Sequence, residues 1–169
     1  MIIAETERLR LRHIELPDAN FIYQLYNQPS FIKYIGDRGV HSVKDAETFI
    51  QKVQDNYQQY GFWLYLVERK DSNQPIGVNG LIQRDYLDAP DIGFALTTQF
   101  CGQGYAKESS LAILQHSKAK GHNHLYAITS PNNHLSEHLL KKLGFQFQRQ
   151  DYFDNSTSPI NLFQLDFGS

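Results

Sequence analysis

Ala46, Phe49, Ile50, Val53, Tyr57 and Tyr60 are spaced by steps of 3, 1, 3, 4 and 3, which keeps apolar side chains on one side of a helix. Ser42-Val-Lys-Asp45 ahead of them has the form of a capping box, and Gly61 stops the run. Such a stripe predicts a helix facing the core rather than a partner. An earlier helix is predicted to start at Pro17-Asp18, to carry Phe21, Ile22, Leu25 and Tyr26, and to end at Pro29. Glu7 to Ile14 alternates charged and apolar residues, the two-residue period of a half-buried strand. Its Arg8, Arg10 and Arg12 face is expected to be solvated, with an acidic substrate as the alternative.

Phe62 to Arg69, Ile76 to Ile82 and Asp91 to Thr97 read as three strands of an antiparallel meander, with a turn at Lys70-Asp-Ser-Asn-Gln-Pro75. A helix follows from Ala106 to Lys120, then Gly121, then a strand from Leu125 to Thr129. Asn133 to Leu143 reads as a short helix with Leu135, Leu139 and Leu143 on one side, closed by Lys141, Lys142 and Gly144. Phe145 to Phe153 and Ile160 to Phe167 are expected to close the fold as a hairpin across Asn155-Ser-Thr-Ser-Pro159. Helices and strands mix without strict alternation. The pattern predicts one α/β (α+β) domain over residues 1–169 with a largely antiparallel sheet.

Composition narrows the function classes. The 169 residues are 41% hydrophobic, enough for one globular domain with a real core. The formal net charge of −2 gives no electrostatic case for nucleic acid or an anionic membrane. A lone cysteine, Cys101, rules out an intrachain disulfide and points to a reducing, cytoplasmic setting. The start, Met1-Ile-Ile-Ala-Glu-Thr-Glu-Arg, lacks the order of a signal peptide, and no apolar run reaches membrane-spanning length.

The chemistry concentrates in Gln99-Phe-Cys-Gly102-Gln-Gly104-Tyr-Ala106, which joins a strand to a helix N-terminus. Two glycines allow a tight turn that bares N–H groups, and the helix dipole adds positive potential, so the segment suits a phosphate-bearing ligand. A dinucleotide fingerprint is excluded because Lys107 stands at the sixth position from Gly102 and no early βαβ unit precedes it. A nucleotide-triphosphate loop is excluded because Gly-Lys-Ser/Thr is absent.

The turn instead resembles the acyl-CoA site of the GNAT superfamily of N-acetyltransferases, whose phosphate turn runs Gln/Arg-x-x-Gly-x-Gly/Ala. Gln99, Gly102 and Gly104 match it, and Tyr105-Ala106 extend the match. Asn133-His-Leu-Ser136 and Leu140-Lys-Lys-Leu-Gly-Phe145 resemble a second family segment, Asn-x-x-Ser and Leu-Gly-Phe. Thr6-Glu-Arg-Leu-Arg-Leu-Arg12 is similar to the Rim-type branch, the ribosomal-protein amino-terminal acetyltransferases. The three motifs lie in the family's order and cover nearly the whole chain. The resemblance implies a twisted, mostly antiparallel sheet of about six to seven strands, splayed between the fourth and fifth, with about four flanking helices. It implies acetyl-CoA as co-substrate without a metal, a primary amine as acceptor, and direct attack on the thioester. A protein N-terminus leads among acceptors, a small amine such as an amino acid, polyamine or antibiotic follows, and a non-catalytic acyl-CoA-binding module is the remaining alternative. Homodimers occur in the family.

Carried over position by position, the diphosphate is expected on the backbone of Cys101, Gly102, Gln103, Gly104, Tyr105 and Ala106, with Gln99 beside it. The thioester is expected near Phe94, Ala95 and Leu96, the N–H of Leu96 or a neighbour polarising it. Asn133 is expected to contact the cofactor, to cap a helix, or both. Ser136 is either the group near the sulfur or an ordinary polar residue of a first helical turn. Asp91 stands where relatives carry glutamate, and either orders a water that accepts the amine proton or serves the structure. Tyr126 either lines the acceptor channel or is a buried strand tyrosine. Cys101 has no base partner placed by sequence and is read as lending only its backbone. His134, Glu137 and His138 fit the letters of a His-x-x-Glu-His metal motif, but the same segment is already accounted for by the acyltransferase reading, which favours no metal. His122 and His124 are expected to be solvated turn residues.

Overall fold

The computed structural model describes residues 1–153 and 157–168. Among them, β1 (Ile2–Glu5), β2 (Leu9–His13), β3 (Leu64–Arg69), β4 (Pro75–Ile82), β5 (Asp91–Leu96), β6 (His124–Thr129), β7 (Gln146–Asp151) and β8 (Ile160–Asp166) form one sheet. Its order is β1-β2-β3-β4-β5-β6-β8-β7. Neighbours are antiparallel except β5 and β6, which run parallel. The added strand relative to the sequence reading is β1, four residues too short to show a period. The middle of the predicted hairpin turn, Asn155 and Ser156, lies outside the described residues.

Among the described residues five α-helices flank the sheet: α1 (Ala19–Tyr26), α2 (Pro29–Tyr34), α3 (Val43–Tyr60), α4 (Tyr105–Ala119) and α5 (His134–Lys142). Four run for eight residues or more, and α2 is an extra piece of six residues. Pro29 therefore opens a helix rather than merely ending one. Its fixed φ and missing N–H suit the first helical position, where the N–H would lack an intrahelical partner. Ser42 caps α3 by accepting from the Asp45 N–H at 3.0 Å, while the Asp45 carboxylate reaches back to the His41 N–H. Gly61 closes α3 at φ +79, a conformation that costs other residues more.

Side-chain alternation divides the sheet into two faces. Leu9, Leu11, Tyr65, Val67, Asn79 and Phe94 face α4, and Asn79 Nδ2 donates to Ser109 and Ser110 of that helix. Arg10, Arg12 and Glu68 face the other way, where Arg12 pairs with Asp18 at the entrance to α1 and both arginines pair with Glu68. The three arginines of the first motif thus do not act as one face. Arg10 and Arg12 are spent on the fold, and Arg8 lies elsewhere. On α5 the expected stripe is displaced: Leu135 is 86% exposed, and Leu140 is buried with Leu143.

Candidate active site

β5 and β6 pair only at Asp91↔Tyr126 and Ile92↔Ala127, although both strands continue further. Because they are parallel, they separate toward the same end of the sheet and leave a gap. The hydrogen-bond alternation of β5 decides what lines it. Thr97 donates to the Ile76 carbonyl at 2.8 Å, so Ala95 and Gly93 exchange bonds with Val78 and Gly80. Ile92, Phe94 and Leu96 therefore turn their N–H and C=O groups toward β6. Ile92 is used by the parallel ladder, which leaves the N–H of Phe94 and of Leu96 directed into the gap. The Ala95 N–H points away from it, a distinction that resemblance alone did not make.

Across the gap the same reasoning applies. Phe167 donates to the Asn123 carbonyl, so Leu125, Ala127 and Thr129 bond β8, and Tyr126 and Ile128 face β5. The slot is thus edged by backbone on both sides.

The phosphate turn sits at the open end. Thr98–Phe100 forms one turn of 3-10 helix, and the Cys101 N–H is consumed by the Thr98 carbonyl at 3.1 Å. Cys101 therefore cannot lend its amide to a ligand, contrary to expectation. Its thiol, pushed up by burial, lies 3.7 Å from the Thr97 carbonyl and has no activating base. Gly102 and Gly104 adopt φ of +77 and +85, the left-handed region expected of them. Gly104 is the N-cap of α4, so the first-turn N–H groups of Tyr105, Ala106 and Lys107 have no intrahelical acceptor. Gln103 Nε2 donates to the Gln99 carbonyl at 3.0 Å and stiffens the turn. Asn133 and Ser136 begin α5, just beyond the end of β6, so they flank the same open end. Asn133 Oδ1 accepts from the Ser136 N–H at 3.3 Å, which realises its capping role.

The face opposite α4 carries a second group of residues. Asp91 is 2% exposed, and both its oxygens are held by Arg84, Oδ1 at 2.8 Å from Nε. Burial raises its carboxyl above the usual range, and Arg84 opposes the rise. Both oxygens of this enclosed carboxylate are thus committed to Arg84. Tyr126 is only partly buried; its hydroxyl donates to Asp88 at 2.7 Å, which raises the phenol and lowers the carboxyl. His124 joins Asp88 at 3.3 Å, and His122 bonds Ser117 and meets Phe62 edge-on, so neither is a free turn residue.

α2 spans the gap on this face. Gln28, its N-cap, donates to the Leu96 carbonyl at 3.3 Å and accepts from the Thr98 N–H at 2.9 Å, on the β5 side. Ser130, just after β6, donates to the Tyr34 carbonyl at the other end of α2. Neither contact was legible in sequence, because each joins residues 70 or 96 positions apart.

Glu137 of the His-x-x-Glu-His segment accepts from Asn161 Nδ2 at 2.6 Å. Among the described residues no three His, Cys, Asp or Glu side chains converge as metal ligands. None of their helices is long and apolar enough to cross a membrane. A groove of about 540 Å³ between β1 and α4 is lined by Ile3, Ala4, Leu111 and Ala112, away from the gap.

Comparison with known proteins gives this geometry a context. Residues 8–146 match the acetyltransferase (GNAT) domain family. The uncharacterized N-acetyltransferase YoaA of Bacillus subtilis (strain 168) is 29% identical over 161 residues, covering 92% of this chain and 90% of that protein. In structure, the ribosomal L7/L12 α-N-protein acetyltransferase RimL, solved with coenzyme A, superposes with a TM-score of 0.83 at 20% identity over 98% of each chain. The microcin C7 self-immunity acetyltransferase MccE, solved with acetyl-CoA and AMP, superposes with a TM-score of 0.80 at 18% identity, covering 96% of this chain and 94% of that one.

Proposed function

The chain belongs to the GNAT family of acetyltransferases and is an acetyl-CoA-dependent N-acetyltransferase; from that premise we propose that its acceptor is a protein N-terminal amine. The observation that carries the reading is the open-ended slot between β5 and β6, with two unshared strand N–H groups inside and a glycine turn at its mouth. In this reading the diphosphate lies on the N–H groups from Gly102 to Lys107. The pantetheine arm enters the slot as an added strand would. Leu96 is nearer the turn and meets the arm's amides. Phe94, two residues deeper, offers its N–H to the thioester oxygen, where negative charge develops as the amine attacks. Ser136, at the start of α5, passes a proton to the departing thiolate and regains the proton that the attacking amine sheds to water. Asp91 keeps Arg84 and the strand start in place and takes no proton.

The N-terminal acceptor is supported by the accessibility of the opposite face and by the Rim-type opening segment. Asp37, Arg38 and Gly39 are exposed, as are Ile32 of α2 and Ile35 just after it, so this face is open to a chain end. RimL, a neighbour in fold, is named for an α-N-protein substrate. The test is thiol release from acetyl-CoA with a panel of N-terminal peptides, amino acids and polyamines. Turnover on peptides with a free α-amine, and none on the same peptides blocked at the N-terminus, is expected. Turnover confined to small amines would transfer the acceptor to that class.

A further inference from the structure

Arg8 stands just ahead of β2, yet its guanidinium lies at the phosphate turn. Nε donates to Glu108 Oε1 at 2.7 Å, and the Arg8 backbone N–H donates to Glu108 Oε2 at 2.9 Å. Thr6 donates to the same carboxylate, so Glu108 is gripped from three sides. Nη1 of Arg8 donates to the Gln103 carbonyl at 3.1 Å, and the guanidinium stacks over the Tyr105 ring at 4.2 Å. A Cβ placed on Gly104 would sit 3.3 Å from Nη2. The side chain is 42% exposed, so these contacts fix its direction without burying it.

A trans peptide points its C=O and N–H in opposite directions. With the Gln103 carbonyl held by Arg8 on one side, the Gly104 N–H of that same peptide points to the other. We infer that Arg8 is a positioning residue of the phosphate turn: it orients and polarises the Gln103–Gly104 peptide so that its N–H meets the diphosphate of coenzyme A. The inference rests on the acetyl-CoA reading above. It requires the planar fork of arginine, since one edge must hold Glu108 while the other holds a carbonyl, and lysine's single ammonium cannot do both in this geometry.

The test compares Arg8→Ala and Arg8→Lys with the wild-type protein, using calorimetry with coenzyme A and with pantetheine, which has the amide arm and thiol but no diphosphate. The Kd for coenzyme A is expected to rise about tenfold in both variants, the scale of one charged hydrogen bond, with pantetheine binding unchanged. A wild-type-like Arg8→Lys would overturn the inference in favour of charge alone. Equal weakening toward both ligands would overturn it in favour of a general structural role. Unchanged affinity in Arg8→Ala would overturn it outright, and if that variant does not fold, Arg8→Lys decides. Wild-type protein that does not bind coenzyme A would instead remove the reading beneath it.

Discussion

At the scale of single residues, a few backbone directions carry the site. Gly104 has φ +85 and Arg8 close behind it, so a β-branched side chain there is strained by about 1–2 kcal/mol and crowds the guanidinium. Gly104→Val is expected to remain folded with a lower melting midpoint and to bind coenzyme A several-fold more weakly by calorimetry; unchanged affinity would move the diphosphate away from this turn. Ser136 engages only its N–H among the described residues, so its hydroxyl can be removed at little structural cost. Ser136→Ala is expected to lower kcat by roughly 10- to 100-fold, toward the low end of general acid–base contributions, with KM for acetyl-CoA nearly constant. A wild-type kcat would take this serine out of the chemistry. The left-handed glycines and the Asn133 cap were legible because local backbone needs and motif spacing leave marks in sequence. The consumed Cys101 N–H and the enclosed Asp91 were not, because an amide's partner and a carboxylate's burial depend on what packs beside them.

At the scale of elements, α2 ties together the two strands that part. Its N-cap Gln28 holds β5 and the start of the phosphate turn, and its last carbonyl is held by Ser130 beyond β6. Gln28→Ala frees the Leu96 carbonyl and the Thr98 N–H, each losing a bond of about 1 kcal/mol. We expect kcat/KM to fall about tenfold, with a melting midpoint lower by a few degrees. Kinetics indistinguishable from the wild type would show that the slot keeps its width without this clamp. Strong periodicity made α3 readable from the chain. It could not reveal α2, whose six residues are too few for a stripe and whose proline reads equally as a stop or a start.

At the scale of the whole molecule, charge is buried unevenly, and acid should expose this. His13, His116 and His122 are each half-buried, and burial, aided by Lys120, lowers the pKa of all three. The unfolded chain therefore binds more protons than the folded one as pH falls through the ordinary imidazole value near ~6.5. Stability is fully present above that value and declines below it until the lowered folded values are passed. Glu108, held below its usual value against the cost of burial by Thr6 and Arg8, adds a further loss at still lower pH. Asp91 works in the opposite sense, its raised carboxyl giving a contribution that fades as pH rises. Urea midpoints between pH 7.5 and 5 should fall; a flat profile would mean that the histidines are hydrated in the folded state. The sequence by itself determined the fold class, seven of the eight strands, the glycine turn and the family, because these follow from local periodicity, backbone freedom and motif order. Only the tertiary structure decided which N–H groups face the slot, that Arg8 braces the turn, and that α2 bridges the parted strands. Those facts arise from register and from contacts between distant segments, and register is a property of paired strands that neither strand carries alone.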